Sequence, residues 1–351
     1  MPTVTLVPTH QSFDAAPGET VLGAALRAGI NLPHSCRGGH CASCRAALQS
    51  GTIRYVGGPP PGLSEAEARD GYVLLCQAIA LTDLVVAARE VRPAPDVEVR
   101  SLPCRIERAE RLSPEVISVH LRLPEVEAFN YRAGQYLDVI LPDGRRRAFS
   151  IASAPCDGRP LALHVRRASI SGFTGQLFGG SAVGMLLRIE GPLGQFWFRG
   201  DSTRPAIMVG GGTGYAPLRA MIRELRAAGS DRRIELYWGG RVRADLYEHD
   251  WLSRLAAEHH GFRYTPVLSE GEPGAASAGM RGGLVHAAVL EDHADLSGFD
   301  VYASGPPGLV DAVRETFRQH GLPADQLFFD SFDFAPDALE AMRAARDAGA
   351  D

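Results

Sequence analysis

The stretch Pro33–Cys44, PHSCRGGHCASC, sets three thiols at the spacing C-x4-C-x2-C, and a fourth, Cys76, follows in YVLLCQA. Four thiolates in this pattern suit a 2Fe–2S cluster on Cys36, Cys41, Cys44 and Cys76. Three ligands from one short loop force the chain to wrap closely, with backbone amides turned toward the sulfides. Gly38 and Gly39 suit that need, because glycine takes left-handed backbone cheaply and lets the main chain approach. Zinc is the alternative, with Cys41 and Cys44 as one knuckle-like pair and His34 and His40 as further donors, but Cys76 stands alone. A disulfide framework is the weakest reading. The start, MPTVTLVPTHQSF, lacks a signal-peptide pattern, so a cytoplasmic protein is expected, where clustered cysteines bind metals or do redox work. Cys104 and Cys156 lie outside the pattern and are expected to be ordinary buried or partly buried thiols.

A second stretch with chemical meaning is GGGTG, Gly210, Gly211, Gly212, Thr213 and Gly214. It follows the apolar run AIMV and opens the helical pattern YAPLRAMIRELRAAG. Glycines there let a pyrophosphate approach backbone amides at a helix start, where the dipole favours anions. Alone, such a loop is also what a tight strand–helix turn looks like. A one-electron cluster cannot take hydride from a nicotinamide, so a nicotinamide site and a cluster in one chain call for a flavin between them.

Elements able to position these groups fall into three segments. At 351 residues, with 45% apolar and 22% charged, the chain suits two or three folded domains. A net charge of −5 gives no reason to expect nucleic acid or an anionic membrane as partner, and no apolar run approaches the ~20 residues of a membrane helix. All 36 basic residues are arginine, a pattern a GC-rich coding bias would produce. Residues 1–92 read as a hairpin (TVTLV, then Gln11–Asp14), a short helix in ETVLGAALRAG capped by Thr20 and stopped by Gly29, and short apolar strands. Residues 93–99, within VRPAPDVEV, read as a linker. Residues 100–202 hold six alternating stretches, CRIERAERL, VISVHLRL, QYLDVIL, RAFSIAS, LALHVRR and MLLRIEGPLGQFWF, which suggest an antiparallel β-barrel. Residues 203–336 alternate strands and helices, as an α/β parallel sheet does. Residues 337–351 form a tail.

These stretches resemble known families. PHSCRGGHCASC with Cys76 resembles the plant-type ferredoxin domain, a β-grasp fold of α+β class, with His34 at the usual aromatic position and both histidines flanking the cluster. RAFSIAS resembles the R-x-Y-S signature of the ferredoxin–NADP reductase superfamily. The resemblance implies that Arg147 holds a flavin phosphate, Phe149 packs on the flavin in place of Tyr, and Ser150 lies near the reactive ring edge, with Ile151 beside it. LHVRR and SGFTGQL resemble the second flavin stretch, implying Gly172 and Thr174 as FAD contacts, and GPLGQF resembles a structural turn of the barrel. GGGTG with APLRAMI, including Pro217, resembles the nicotinamide loop, and YWGGRVRADLY resembles the stretch receiving the adenosine ribose. No acid follows IELYWGG directly, so Arg241 or Arg243 could accept a 2′-phosphate, and Asp245 could be a cap or a ligand. VYASGPPGL resembles the C-G-P-P motif, with Ser304 in place of Cys and Gly305 and Pro306 as positional residues. In FFDSFDFAP, Phe332 or Phe334 stands where the superfamily stacks an aromatic on the flavin.

The order ferredoxin, flavin barrel, nicotinamide domain is similar to that of the reductase components of bacterial multicomponent oxygenases, and of the reductases serving CDP-6-deoxyglucose deoxygenation. It implies an NAD(P)H-dependent oxidoreductase carrying FAD and a 2Fe–2S cluster, preferring NADH with NADPH as the alternative. Its partner would be a redox protein such as a terminal oxygenase, and the enzyme itself a monomer. Catalysis would be mostly positioning, with Ser150 and Ser304 orienting the reacting rings. The rival readings are a stand-alone flavin reductase or NAD(P)H oxidase, and a cofactor-free binding module, against which the cysteine spacing and GGGTG both speak.

Overall fold

The structure is a computed structural model. It describes residues 1–30, 32–34, 37–39, 42–88, 97–168, 172–271 and 279–332. These form two compact units, one built on residues 1–97 with 330–333, the other on residues 98–329.

In the first unit, TVTLV becomes strand β1 (Thr3–Val7), which buries Val4 and Leu6 on one face. It pairs antiparallel with β2 (Ser12–Asp14), giving the expected hairpin. Helix α1 (Val21–Arg27) begins where the Thr20 hydroxyl accepts a hydrogen bond from the Gly23 amide at 3.1 Å. It ends ahead of Gly29, whose φ of +76° only glycine takes cheaply. Its buried face is Val21, Leu22, Ala24 and Ala25. There follow β3 (Arg45–Ser50), β4 (Ile53–Tyr55), α2 (Glu65–Arg69), β5 (Tyr72–Leu74), β6 (Ala78–Ala80) and β7 (Leu84–Ala87). The main sheet has the order β2-β1-β7-β3-β5, with β1 and β7 parallel, while β4 and β6 pair separately. This is the α+β grasp expected from the resemblance.

All six alternating stretches of the second segment are strands: β8 (Arg100–Arg111), β9 (Val116–Arg122), β10 (Tyr136–Ile140), β11 (Arg146–Ser150), β12 (Leu161–Arg166) and β13 (Leu186–Leu193). Helix α3 (Gly172–Phe178) packs Leu177 into their core. The antiparallel order is β11-β10-β13-β8-β9-β12. Its edge strands meet through an Ile151–Leu163 bridge and an Ala152 amide donating to the Ala162 carbonyl at 2.8 Å, so the sheet closes on itself. Alternation makes this possible, since every second side chain points inward and the interior fills with Ile106, Val119, Leu137, Ile151, Leu163 and Ile189.

The rest of the chain's elements are β14 (Ala206–Gly211), α4 (Tyr215–Ala227), β15 (Ile234–Gly240), α5 (His249–Glu258), β16 (Phe262–Leu268), β17 (Arg281–Gly282), α6 (Val285–Asp292), β18 (Asp300–Gly305), α7 (Pro307–Gln319) and β19 (Leu327–Ser331). The sheet order is β17-β16-β15-β14-β18-β19, and the pairs β14–β15, β15–β16, β16–β17 and β14–β18 are parallel. The chain therefore winds outward from β14 in both directions. The carboxyl ends of β14, β15 and β18 surround that reversal, where open α/β sheets take their ligands. No helix among the described residues is long and apolar enough to cross a membrane. Residues 93–96 of the expected linker, and the tail, lie outside the described residues.

Gly134 has φ +105°, and a Cβ there would collide with the Phe196 carbonyl. Gly134→Ala is expected to destabilise the second unit by about 2–4 kcal/mol. A fall in the urea midpoint would show this, and an unchanged midpoint would contradict it.

Candidate redox and nucleotide site

Cys44 and Cys76 lie far apart in sequence, and the β3–β5 ladder brings them together. Arg45 pairs with Leu74, and the Leu75 amide donates to the Cys44 carbonyl at 3.2 Å. Both cysteines are buried. Cys36, Cys41 and His40 lie outside the described residues. Their described neighbours Arg37 and Ala42 have φ of +52° and +54°, a left-handed backbone that costs a non-glycine residue about 1–3 kcal/mol and persists only where the surroundings enforce it. Bonds from Gln77 and Gly62 hold the Arg37–Gly39 stretch. The Gln77 side-chain amide donates to the carbonyls of Arg37 at 2.8 Å and Cys76 at 3.0 Å, and the Gly62 amide donates to the Gly39 carbonyl at 2.8 Å. Gly39 itself could carry no Cβ, which would stand 2.9 Å from both Gln77 Cγ and Pro60 Cβ. Two buried thiols beside a tightly wound loop fit a 2Fe–2S cluster.

His34 is buried and its Nδ1 donates to the Leu32 carbonyl at 2.8 Å. Burial, with the Arg37 charge adding, pushes its pKa down to about 4 against the opposing carbonyl. Its Nε2 has no hydrogen-bond partner among the described residues. The other two thiols differ from each other. Cys104 is buried in the barrel, where burial pushes its thiol up to about 12, whereas Cys156 is exposed, contrary to expectation. The cause is local: Cys156 sits in a turn, Pro155–Asp157, between strands.

On the flavin side, Arg147, Phe149 and Ser150 occupy β11, opposite Val139, Leu137 and Tyr136 of β10. Arg145 and Arg146 are spent on carboxylates, Arg145 on Asp143 and Arg146 on Asp138 and Glu190, while Arg147 donates to the Arg146 carbonyl at 2.9 Å. Phe149 is half-buried, its ring 6.3 Å from that of Phe173. The Ile151 side chain is wholly inside the barrel, so it anchors Ser150 and offers no surface of its own. Gly172, at φ +69°, and Thr174 begin α3, and nothing lies within 4 Å of the place a Gly172 Cβ would take. Phe332 is half-buried and belongs to the first unit, and Phe334 lies outside the described residues.

At Gly211 and Gly214 the glycine loop leaves no room for a side chain. A Cβ on Gly214 would collide with the Ser304 carbonyl, and one on Gly211 would stand 2.7 Å from Leu309 Cδ2. Gly212 is left-handed at φ +53° and its carbonyl accepts from the Trp238 indole at 2.9 Å. Gly210 pairs with Ser304 across β14 and β18. Ser304 is fully buried, and its hydroxyl has no hydrogen-bond partner among the described residues. A buried orphan hydroxyl costs roughly 1–3 kcal/mol. Gly305, at φ +153°, crosses Gly211 closely, and Pro306 caps α7. Pro217, buried in the first turn of α4, packs that helix against the sheet. Thr213 stands half-buried in the loop.

Several contacts hold the barrel and the parallel sheet together within this unit. Arg219 of α4 pairs with Glu248 at 2.8 Å and donates to the Ala152 carbonyl, just past RAFSI, at 2.9 Å. Arg223 pairs with Asp157 at 2.7 Å, and His164 bonds the Tyr247 hydroxyl at 3.0 Å. Burial keeps His164 neutral, its pKa well below the usual value. Tyr215 stacks on Trp238 at 4.0 Å and donates to Glu248 at 2.7 Å. At the carboxyl end of β15, Arg241 is paired with Glu115 at 2.9 Å and with Asp245 at 3.4 Å, and Glu115 also binds Arg166 at 2.8 Å. Arg243 reaches Asp250 at 3.3 Å. Sequence reading missed Glu115, Trp238, Arg219 and His164. Trp238, inside IELYWGG, was open to notice as a polar-tipped residue in a buried strand, but Glu115 and Arg241 are 126 residues apart and nothing local joins them.

Comparison with known proteins bears on the same three parts. The 2Fe-2S iron-sulfur cluster binding domain matches residues 4–81, the oxidoreductase FAD-binding domain residues 103–198, and the oxidoreductase NAD-binding domain residues 208–315. The CDP-6-deoxy-L-threo-D-glycero-4-hexulose-3-dehydrase reductase of Yersinia pestis is 34% identical over 94% of this chain and 98% of its own. The phenol 2-monooxygenase reductase component of Pseudomonas sp. strain CF600 is 34% identical over 97% of this chain and 98% of its own. Among solved structures, the Amycolatopsis cytochrome P450 reductase GcoB superposes with a TM-score of 0.74 at 33% identity, covering 95% of this chain and 99% of that one. The fold class and the cofactor set read from the sequence are those of these domains.

Gly214→Ala must displace the Ser304 carbonyl. We expect it to slow reduction of the protein's flavin by NADH at least about tenfold, with cluster and flavin content unchanged. Undiminished reduction would show that the Gly214–Ser304 approach does not shape the nucleotide site.

Proposed function

We propose that this chain, which belongs to the family of NAD(P)H-dependent iron–sulfur flavoprotein reductases, draws electrons from NADH and delivers them to the terminal oxygenase of a multicomponent system. Bound FAD would supply the conversion of a two-electron hydride into single electrons, and a 2Fe–2S cluster would supply one-electron delivery, which suits a partner that takes electrons singly. Three matched domains in one chain, with the buried Cys44–Cys76 pair beside a strained loop, carry the reading.

The chain's own part is positioning. Arg147, Gly172 and Thr174 bind the flavin phosphates, Phe149 packs on the ring system, and Ser150, anchored by Ile151, faces the reacting edge. Gly210, Gly211, Gly212, Thr213 and Gly214 admit the pyrophosphate of the nucleotide, supported by the steric fit of Gly211 and Gly214. Ser304, with Gly305 and Pro306 behind it, orients the nicotinamide through its buried hydroxyl, and Pro217 fixes the helix that carries the loop. Arg241 stands at the ribose end. Cys36, Cys41, Cys44 and Cys76 hold the cluster. Close packing around Ser304 and Trp238 keeps water from the place where hydride moves. The working divisions are residues 1–92, 100–202 and 203–336, with 93–99 as linker and 337–351 as tail. The enzyme works in the cytoplasm as a monomer, without nucleic acid or membrane.

A second acceptor, the dehydrase of a CDP-sugar deoxygenation system, is favoured by the similarity to the Yersinia pestis reductase. Both acceptors need the same relay. A Cys76→Ser protein is expected to keep NADH-dependent ferricyanide reduction within about twofold while losing one-electron delivery to a protein acceptor. Equal retention of both activities would show that electrons leave without using the cluster.

A further inference from the structure

We propose that Glu115, a barrel residue far from the nucleotide motifs in sequence, makes this reductase select NADH over NADPH. The inference rests on the proposed nicotinamide site and adds the residue that discriminates at its ribose end.

In this class of sheet the strand beside the glycine-loop strand ends at the adenosine ribose, where an acid receives the 2′-hydroxyl and an arginine accommodates a 2′-phosphate. Here that strand is β15, and the residue after its end is Arg241. Taken by type, Arg241 would argue for NADPH. Its surroundings argue the reverse. One face of the guanidinium is taken by the Glu115 carboxylate at 2.9 Å, and its Nε lies 3.4 Å from Asp245, which also accepts from the Arg241 amide at 2.9 Å.

The same Glu115 oxygen binds Arg166 at 2.8 Å. An Arg166 nitrogen lies 4.0 Å from where a Gly212 Cβ would stand, so this pair runs from the pyrophosphate loop to the ribose end. Against burial, which raises it, Arg166 and Arg241 hold the Glu115 carboxyl below the usual range, so it is ionised at neutral pH. The loop that carries Glu115 is fixed from both sides. The Glu115 amide donates to Ser113 Oγ at 3.3 Å, and its carbonyl accepts from the Arg167 amide at 2.8 Å.

A 2′-phosphate dianion reaching Arg241 meets two carboxylates already on it, and must either displace Glu115 from two arginines or sit against its charge. A ribose 2′-hydroxyl has no such difficulty, because it can donate to the carboxylate while the ion pairs stay made. Arg241 is thus a neutralised group, and Glu115 is what neutralises it from the barrel side.

The test compares the full-length protein with Glu115→Gln, which keeps the shape and removes the charge, and with Glu115→Ser as a second variant. We would measure kcat/KM for NADH and NADPH with ferricyanide as acceptor, and in parallel the calorimetric affinity for 5′-AMP and 2′,5′-ADP, which needs no turnover. The expected result is a wild-type preference for NADH that narrows about tenfold in the variants, carried by a lower KM for NADPH, with 2′,5′-ADP gaining affinity over 5′-AMP by a similar factor. An unchanged NADH-to-NADPH ratio and unchanged relative affinities in folded variants would overturn the role of Glu115, as would a wild-type preference for NADPH. Absence of flavin reduction by either nucleotide would instead overturn the proposed function, and the AMP titrations would still decide whether Glu115 repels a 2′-phosphate.

Discussion

Arg219 carries the geometry on which the second unit depends. It rises from the helix that opens at the glycine loop, pairs with Glu248 from the start of α5, and donates to the Ala152 carbonyl just beyond the strand bearing Arg147, Phe149 and Ser150. A hydride moves only between atoms in near contact, so a nucleotide loop and a flavin strand on separate cores must be held in one register. From the helix that follows the glycine loop, the guanidinium makes planar, directional bonds to Glu248 and to the Ala152 carbonyl, in a site where its side chain and that of Glu248 are each only 18% exposed. Arg223–Asp157 and His164–Tyr247 repeat the link along the same seam, and because His164 is kept neutral by burial that contact carries no charge to lose near neutral pH.

In the first unit the corresponding constraint is strain. Arg37 and Ala42 adopt a backbone that ordinary residues avoid, and the Gln77 side chain, next to Cys76, donates to the Arg37 carbonyl. The residue following Cys76 therefore also holds the backbone at Arg37. Such a loop makes sense around a compact, multiply bonded centre. It makes little sense as a surface turn, where relaxing the two residues would gain stability.

Much of this was legible in the sequence because the signals are local. Alternation in VISVHLRL and LALHVRR reflects the two faces of a barrel strand, Thr20 and Gly29 bracket α1 by capping chemistry, and GGGTG after AIMV marks a strand–helix turn that is closed to side chains at Gly211 and Gly214. The cysteine spacing is a local demand of the cluster. What escaped was long-range. Glu115 meets Arg241 only because a barrel turn faces the end of β15, and Arg219 meets Ala152 only because α4 lies along the barrel; neither is encoded by spacing. Ser304 shows the intermediate case. Its place in VYASGPPGL was readable, but that its hydroxyl is buried without a partner among the described residues follows from the Gly210 and Gly214 approach and could not be read from the motif.

The central claim is that electrons enter at the nicotinamide site of the second unit and reach a cluster on the cysteines of the first. Anaerobic titration of the purified protein with NADH, followed by visible absorbance and electron paramagnetic resonance, tests it most directly. The account predicts bleaching of the flavin bands, a fall in cluster absorbance, and a one-electron cluster signal at substoichiometric NADH. Flavin bleaching with a cluster that stays oxidised and silent would contradict it.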